Sequence, residues 1–274
     1  MSSVLESEAY IDACTNVLLA KMATFARTKR AIDLGEWIQW YTFDIIGELF
    51  YGRQFGIMRD EHDFGNYIGT LDTMLSAITL ISVLPTSLRI FQPVLGFLAP
   101  RMRRALRGYD GIRDAAKYWV QHRLQEMQNK TAHRVDLLDM FRVRGRRTDF
   151  DVPEIQVESL GAIFAGSDTT AITIRAILYY LMKTPSAAYN KLMTELDTAD
   201  RNGQLNQPHI QYSQAIKLPY LTACYKEVIP DLLRAFRPEL SHPEKEWTSR
   251  NFWFNKQTEI QVYVTARALP ERHM

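Results

Sequence analysis

Residues 165–170 read Ala-Gly-Ser-Asp-Thr-Thr and interrupt a long apolar pattern of helical period. Glycine in a helix interior costs about 1 kcal/mol relative to alanine, and Ser, Asp and Thr compete with the helix for backbone hydrogen bonds. Such a local conflict is typical of a functional or strained site. The Asp168 carboxylate is able to relay a proton, and the Thr169 hydroxyl is able to donate or accept one.

A helical wheel places Ala165, Thr169, Ile172 and Ala176 on one face, with Asp168 beside them. Small side chains on this face allow a flat, bulky group to approach the backbone closely. If Thr169 hydrogen-bonds to a carbonyl one turn earlier, the helix bends and a pocket for water opens. The same residues also fit a tight crossing of two helices without chemistry, and the pattern alone favours that second interpretation.

The elements that position this motif are mainly helical. The helix-start signal Asp151-Val152-Pro153-Glu154 and the breaker Pro185 predict one long helix to about Lys183. Asp33 is expected to cap another helix, and Asn202-Gly203 is expected to form a turn. The C-terminus has strand-like runs at 251–254 and 259–265, with Lys256-Gln257-Thr258 predicted as the loop of a hairpin. The other predicted helices are 9–30, 36–51, 63–84, 101–127, 135–143, 186–199 and 218–228.

Composition bounds the function. The 274 residues are 46% hydrophobic and 23% charged, and the net charge of +2 gives no reason to expect a nucleic-acid partner. Cys14 and Cys224 form no disulfide framework or CxxC pattern, so reduced, intracellular surroundings are expected. No secretory signal or transmembrane helix is predicted. No metal spacing occurs among the isolated histidines, which are expected in surface or capping roles: His62, His122, His133, His209, His242 and His273.

The segment from Leu84 to Leu98 is apolar and is broken by Pro85 and Pro93. Because a basic run, Arg101-Met102-Arg103-Arg104, follows it directly, contact with an anionic membrane surface is one interpretation. Packing into the core is a comparable one. The solvated face of a helix is the favoured explanation for the basic residues themselves.

With its neighbours, the Ala-Gly-Ser-Asp-Thr-Thr motif resembles the distal-side helix of cytochrome P-450 monooxygenases. Trp40 to Gly47 resembles an earlier helix of that fold, and Leu218 to Glu227 resembles the helix beneath the haem. Glu244 to Phe254 resembles the chain end of fungal members. The resemblance implies one incomplete, mainly α domain over 1–274 with a small C-terminal β-hairpin. Within it, 1–227 matches the middle helices and 228–274 matches the end after the haem loop.

The resemblance also implies roles. Thr169 would deliver protons to haem-bound oxygen with Asp168 beside it, and Ala165 and Gly166 would face the haem plane. The implied cofactor is haem and the implied reaction inserts one oxygen atom from O2 into an apolar organic substrate, as in fungal secondary metabolism. The implied partner is an NADPH-dependent reductase, and the family resides at the endoplasmic reticulum membrane.

Two parts of the family pattern are missing. The family has an arginine three residues after the glutamate that matches Glu227, where this chain has Pro230, and no cysteine follows Glu227 to ligate iron. Cys14 and Cys224 are expected to be small buried hydrophobes rather than ligands. The chain as written is therefore predicted to be inactive, as a defective monooxygenase. The alternatives are a non-catalytic remnant that binds an apolar ligand or a protein partner, and an enzyme with an unexpected iron ligand.

Overall fold

A computed structural model describes residues 5, 7–63, 65–83, 100–129, 136–138, 152–183, 187–224, 236–240, 248–251, 255–258 and 261–266. These residues are mainly helical, as predicted. The helices are α1 (Glu8–Thr28), α2 (Leu34–Tyr51), α3 (Ile57–Asp60), α4 (Tyr67–Val83), α5 (Pro100–Gln128), α6 (Val152–Lys183), α7 (Ala187–Arg201), α8 (Tyr212–Ala215) and α9 (Pro219–Cys224). The strands are β1 (Ile32–Asp33), β2 (Phe236–Leu240), β3 (Thr248–Asn251), β4 (Asn255–Thr258) and β5 (Gln261–Ala266).

The ends of α2 are set by two local signals. Asp33 is the N-cap residue, and its carboxylate accepts a hydrogen bond of 3.2 Å from the backbone N–H of Glu36, as the sequence predicted. At the other end Gly52 takes a left-handed conformation with φ of 72°, and its N–H donates to the Gly47 carbonyl oxygen. Glycine adopts this conformation without steric penalty, which is why α2 ends there.

The start of α4 lies four residues later than predicted, at Tyr67 instead of Asp63. Asp63 stays outside the helix and accepts hydrogen bonds from the backbone N–H groups of Tyr67 and Ile68, at 2.8 and 2.9 Å. These two donors have no partner within the helix, so the carboxylate stabilises the first turn from outside it.

Helices α2 and α6 form the centre of the molecule because both contribute to two buried clusters. The first cluster joins them to α1 and α7 and includes Leu18, Ile38, Leu178 and Leu192. The second joins them to α4 and α5 and includes Phe43, Leu71, Val120 and Ile163. The 32-residue length of α6 lets its two halves belong to different clusters, so this helix crosses the whole described structure.

The strands lie in two small antiparallel sheets. β3 pairs with β4, with Asn251 opposite Asn255, which gives the small C-terminal hairpin that was predicted. The predicted loop and strand pairing were wrong, because Lys256 to Thr258 belong to β4 itself, and the second predicted strand, 259–265, contains most of β5, which pairs elsewhere. β5 pairs with β2 and with β1, so the C-terminal strand also meets the segment before α2. The residues of β4 are polar. Backbone pairing with β3, and not side-chain hydrophobicity, therefore holds this short strand.

Several sequence predictions lie outside the described residues. They concern Asp151, the apolar segment 84–98, the motif residue Glu227 with Pro230, most of the helix predicted at 135–143, and the end of the helix predicted at 218–228, whose described part forms α9. Asn202 and Gly203 form the predicted turn, with φ of 66° at Gly203. Among the helices of the described ranges, none has the length and apolar character needed to cross a bilayer.

Candidate active site

The motif helix α6 presents a row of residues to solvent near its middle. Gly161, Ala165 and Thr173 are exposed, Thr169 is half-buried, and Val157 further along the row is 67% exposed. Because these positions are four residues apart, they follow one face of the helix. The row consists mainly of small side chains, so it leaves the α6 backbone accessible. It shares Ala165 and Thr169 with the predicted face, whose other members, Ile172 and Ala176, are half-buried.

Hydroxyl groups along α6 hydrogen-bond to the helix itself. Thr169 Oγ1 donates to the Ala165 carbonyl oxygen at 2.7 Å, and Thr173 Oγ1 donates to the Thr169 carbonyl oxygen at 3.0 Å. On the buried side Ser167 Oγ donates to the Ile163 carbonyl oxygen at 2.8 Å. The bond one turn back that the sequence suggested for Thr169 is therefore present. It keeps the Thr169 oxygen close to the exposed row, beside Ala165.

Asp168 is buried, with 4% of its surface exposed. Its Oδ1 accepts a hydrogen bond of 3.2 Å from Gln39 Nε2 on α2. Gln39 Oε1 in turn accepts a bond of 2.6 Å from Arg175 Nη2, and Arg175 Nε donates to the Gly35 carbonyl oxygen at 2.8 Å. A connected set of side chains thus joins Asp168 to the first turns of α2.

Arg175 is 2% exposed, so its charge lies in the interior. Burial lowers the pKa of the Arg175 guanidinium, and the carboxylates of Asp168, Asp33 and Asp72 act in the opposite direction. A buried cation of this kind needs nearby negative charge to offset its desolvation. The Asp168 carboxylate therefore has an electrostatic role toward Arg175 in addition to any chemistry at the motif.

Asp168 and Thr169 are neighbours in sequence, yet they face different surroundings. The carboxylate lies in the interior against α2, whereas the hydroxyl lies near the exposed row of α6. Successive side chains on an α-helix point about 100° apart, so this separation follows from the helix geometry. The sequence placed these two groups together as one proton-handling pair, whereas the structure directs them to different sides of α6.

Gly166 has a packing reason to be glycine. A Cβ added at this position would lie 2.7 Å from Cδ1 of Ile46 on α2, closer than packed carbon atoms approach. At Gly161 an added Cβ would meet nothing within 4 Å. Gly166 therefore marks the crossing of α6 and α2, which is the structural interpretation of the motif, while Ala165 lies on the exposed row. Contact with a haem plane stays a prediction for both residues.

A cleft of about 610 Å³ opens beside the buried set. Gln39 and Arg175 line it, and so do several acidic residues and one histidine: Asp33, Glu36, Glu61, His62, Asp63 and Asp72. Burial, with a further contribution from Asp33, raises the pKa of Glu36. Neither Gln39 nor Arg175 was predicted from the sequence as a site residue. The available signal was that each is a polar residue on an otherwise apolar, helix-periodic face.

The described residues offer space for one face of a haem but no axial ligand for its iron. The small-residue row of α6 leaves space for a planar group, but glycine, alanine, threonine and valine are not axial ligands of haem iron. Cys14 is fully buried in the core, as predicted for a small hydrophobe, and the Cys224 side chain lies outside the described residues. No group of three or more His, Cys, Asp or Glu side chains suited to a metal occurs in the described part. His209 is buried and hydrogen-bonds to Asn16 at 3.0 Å, so it is a structural residue.

Comparison with known proteins identifies the class to which this fold and motif belong. The family model described as cytochrome P-450 matches residues 1–266. The chain is 36% identical over 243 residues to the cytochrome P-450 monooxygenase ACRTS1 of Alternaria alternata, which covers 87% of this chain and 62% of that relative. It is 33% identical to the cytochrome P-450 monooxygenase gsfF of Penicillium aethiopicum, over 84% of this chain and 46% of that relative.

The fold agrees with these sequence matches. A crystal structure of a cytochrome P-450, CYP102L1, superimposes with a TM-score of 0.73 at 15% identity, covering 97% of this chain and 78% of the other. The chain belongs to the cytochrome P-450 family, and it resembles members from fungi. It spans between about half and two thirds of the length of the two fungal relatives named above.

Proposed function

We propose that this chain forms the oxygen-facing part of a haem monooxygenase and that, as written, it does not insert oxygen into a substrate. The single observation that carries the proposal is the exposed row of α6, where Ala165 and Thr169 leave the helix backbone accessible. Family membership supports haem as the group that approaches this row, and the absence of any cysteine after residue 224 argues against the expected thiolate bond.

Within this proposal Thr169 and Asp168 handle protons. The Thr169 hydroxyl lies beside the row, where it is able to donate a hydrogen bond to a small polar molecule once it turns from the Ala165 carbonyl. Asp168 holds an ionisable carboxylate one position earlier, in the interior. When bound, haem supplies the oxygen chemistry. The chain's own residues supply the space, the hydroxyl and the carboxylate.

The remaining assignments follow from the family. We propose an apolar organic substrate and an NADPH-dependent reductase for the complete enzyme, with residence at the endoplasmic reticulum membrane. Segment 84–98 is the candidate for membrane contact because it is apolar and precedes a basic run, although it lies outside the described residues. Glu227 is the candidate for the family's buried glutamate, and Pro230 stands where its arginine partner is expected.

The test is a carbon monoxide spectrum of the purified full chain after incubation with haem and reduction. We expect no red-shifted Soret band of the thiolate type, because Cys14 is fully buried and no cysteine follows residue 224. A thiolate-type band in this chain would overturn the proposed inactivity. Matched Cys14→Ser and Cys224→Ser variants would then show which sulfur binds the iron.

A further inference from the structure

Gln39 links Asp168 to Arg175 through hydrogen bonds at both ends of its amide. Its amide nitrogen donates to Asp168 Oδ1 at 3.2 Å, and its amide oxygen accepts from Arg175 Nη2 at 2.6 Å. An amide side chain is suited to this position because it offers a donor at one atom and an acceptor at the other. All three side chains are at most 4% exposed, so water competes little for these bonds.

The far end of the set is fixed to the backbone. Arg175 Nε donates to the Gly35 carbonyl oxygen at 2.8 Å, in the first turn of α2. A guanidinium is planar and directs its donors in a fixed fork, so bonds from Nε and Nη2 together determine its orientation. Gly35 also has little room for a side chain, because an added Cβ would lie 3.0 Å from Asp33 Oδ1 and 3.5 Å from Arg175 Nε.

We propose that Gln39 and Arg175 are positioning residues for Asp168, which hold its carboxylate against α2, on the side of the acidic cleft. This inference rests on the proposed function only for the role of Asp168 in proton transfer. Gln39 and Arg175 both line the cleft, so the hydrogen bonds that start at Asp168 lead toward that side. These hydrogen bonds hold the Asp168 carboxylate on the α2 side of α6 and away from the exposed row.

The charges around this set come from three helices and one connecting segment. Arg175 lies on α6 with Asp168, Asp33 and Glu36 lie at the start of α2, and Asp72 lies on α4. The segment 61–63 adds Glu61, His62 and Asp63 to the wall of the cleft. Carboxylates outnumber cations here, so the donor from Gln39 and the charge of Arg175 both act in favour of the charged form of Asp168.

The experiment is a titration of the Asp168 carboxyl carbon by NMR in the full chain labelled with 13C-aspartate, with Asp168→Asn used to assign the signal. Gln39→Leu removes the donor and preserves the approximate volume. We expect the titration midpoint of Asp168 to move upward by about one pH unit, because a hydrogen bond to the charged form is lost.

Two further variants keep the test decisive. Ser159→Ala is the control, because it removes a buried hydrogen-bonding side chain of α6 that is not linked to Asp168. The Ser159 hydroxyl donates to the Gln156 carbonyl oxygen, and its loss should leave the Asp168 titration midpoint unchanged. Gln39→Glu preserves the side-chain shape and is the substitute if Gln39→Leu does not fold; repulsion between the carboxyl groups should again raise the midpoint. An unchanged midpoint in a folded Gln39 variant overturns the proposal. The readout needs no haem, so it is separate from the carbon monoxide test.

Discussion

The Thr169 hydroxyl and the Ala165 carbonyl oxygen are joined by a 2.7 Å hydrogen bond within one helix, one turn apart. This bond satisfies the hydroxyl without any partner from another element. Thr169 therefore contributes little to the packing of α6 against the rest of the molecule, in contrast to its neighbour Asp168.

We predict different stability costs for these two adjacent residues. Thr169→Ala should change the free energy of unfolding by no more than about 0.5 kcal/mol, because the side chain is half-buried and alanine favours a helix. Asp168→Ala should cost about 3 kcal/mol, because Gln39 and Arg175 lose a buried carboxylate. Urea unfolding followed by circular dichroism measures both. Similar costs for the two variants would contradict the placement of Asp168 in the interior.

A second prediction concerns the two glycines of α6. Gly166→Ala should stabilise the fold less than the control below, or destabilise it by up to about 1 kcal/mol, because the new Cβ would lie 2.7 Å from Ile46 Cδ1 and the end of that side chain would have to turn away. Gly161→Ala is the matched control on the same helix, and should stabilise it by about 0.5–1 kcal/mol, because nothing lies within 4 Å. Thermal unfolding of both variants checks the sign of each change. Equal stabilisation by the two substitutions would show that Ile46 Cδ1 does not lie against Gly166.

The buried ion pair between Arg123 and Asp136 gives a third prediction. Arg123 Nε lies 2.6 Å from Asp136 Oδ2, and both side chains are at most 2% exposed. Asp136→Ala should cost about 3–5 kcal/mol, because it leaves the guanidinium buried without this partner. Asp114→Ala on the same helix as Arg123 is the control, since its ion pair with Arg113 is exposed and is worth at most about 1 kcal/mol. Urea unfolding compares the two, and equal costs would argue against a buried pair.

Alkaline conditions should reveal the burial of Tyr51. Desolvation raises the pKa of this phenol from 10.0 to about 12, and the Ser159 hydroxyl offsets part of the shift. The unfolded chain therefore loses the proton first as pH rises. The contribution of Tyr51 to the free energy of unfolding is fully present below about pH 10. It is lost as pH rises through about 12, by an amount on the order of 2 kcal/mol.

Tyr51→Phe isolates this contribution from those of the other tyrosines. The variant should lose less stability than the unmodified chain between pH 10 and 12, measured by urea unfolding at a series of pH values. Parallel stability curves for the two proteins over this range would mean that Tyr51 is not desolvated in the fold.

The sequence predicted the features that depend on local chemistry. Asp33 as a cap, the turn at Asn202 and Gly203, and the long helix α6 all follow from signals within a few residues. It did not predict that Lys256 to Thr258 form a strand, because their pairing with β3 outweighs their polar character. It also missed the set of Gly35, Gln39 and Arg175, since no local pattern brings residues from α2 and α6 together across more than 130 positions.

The small side chains along the exposed row of α6 also affect how the chain interacts with water when no ligand covers that row. Glycine, alanine and threonine present little hydrocarbon to water, so a bare wall made from them is hydrated at low cost. Leucine and phenylalanine at the same positions would expose a large apolar patch and favour aggregation of the chain. The small residues that leave room for a flat molecule thus also expose little apolar surface when that molecule is absent. We expect this face not to promote aggregation.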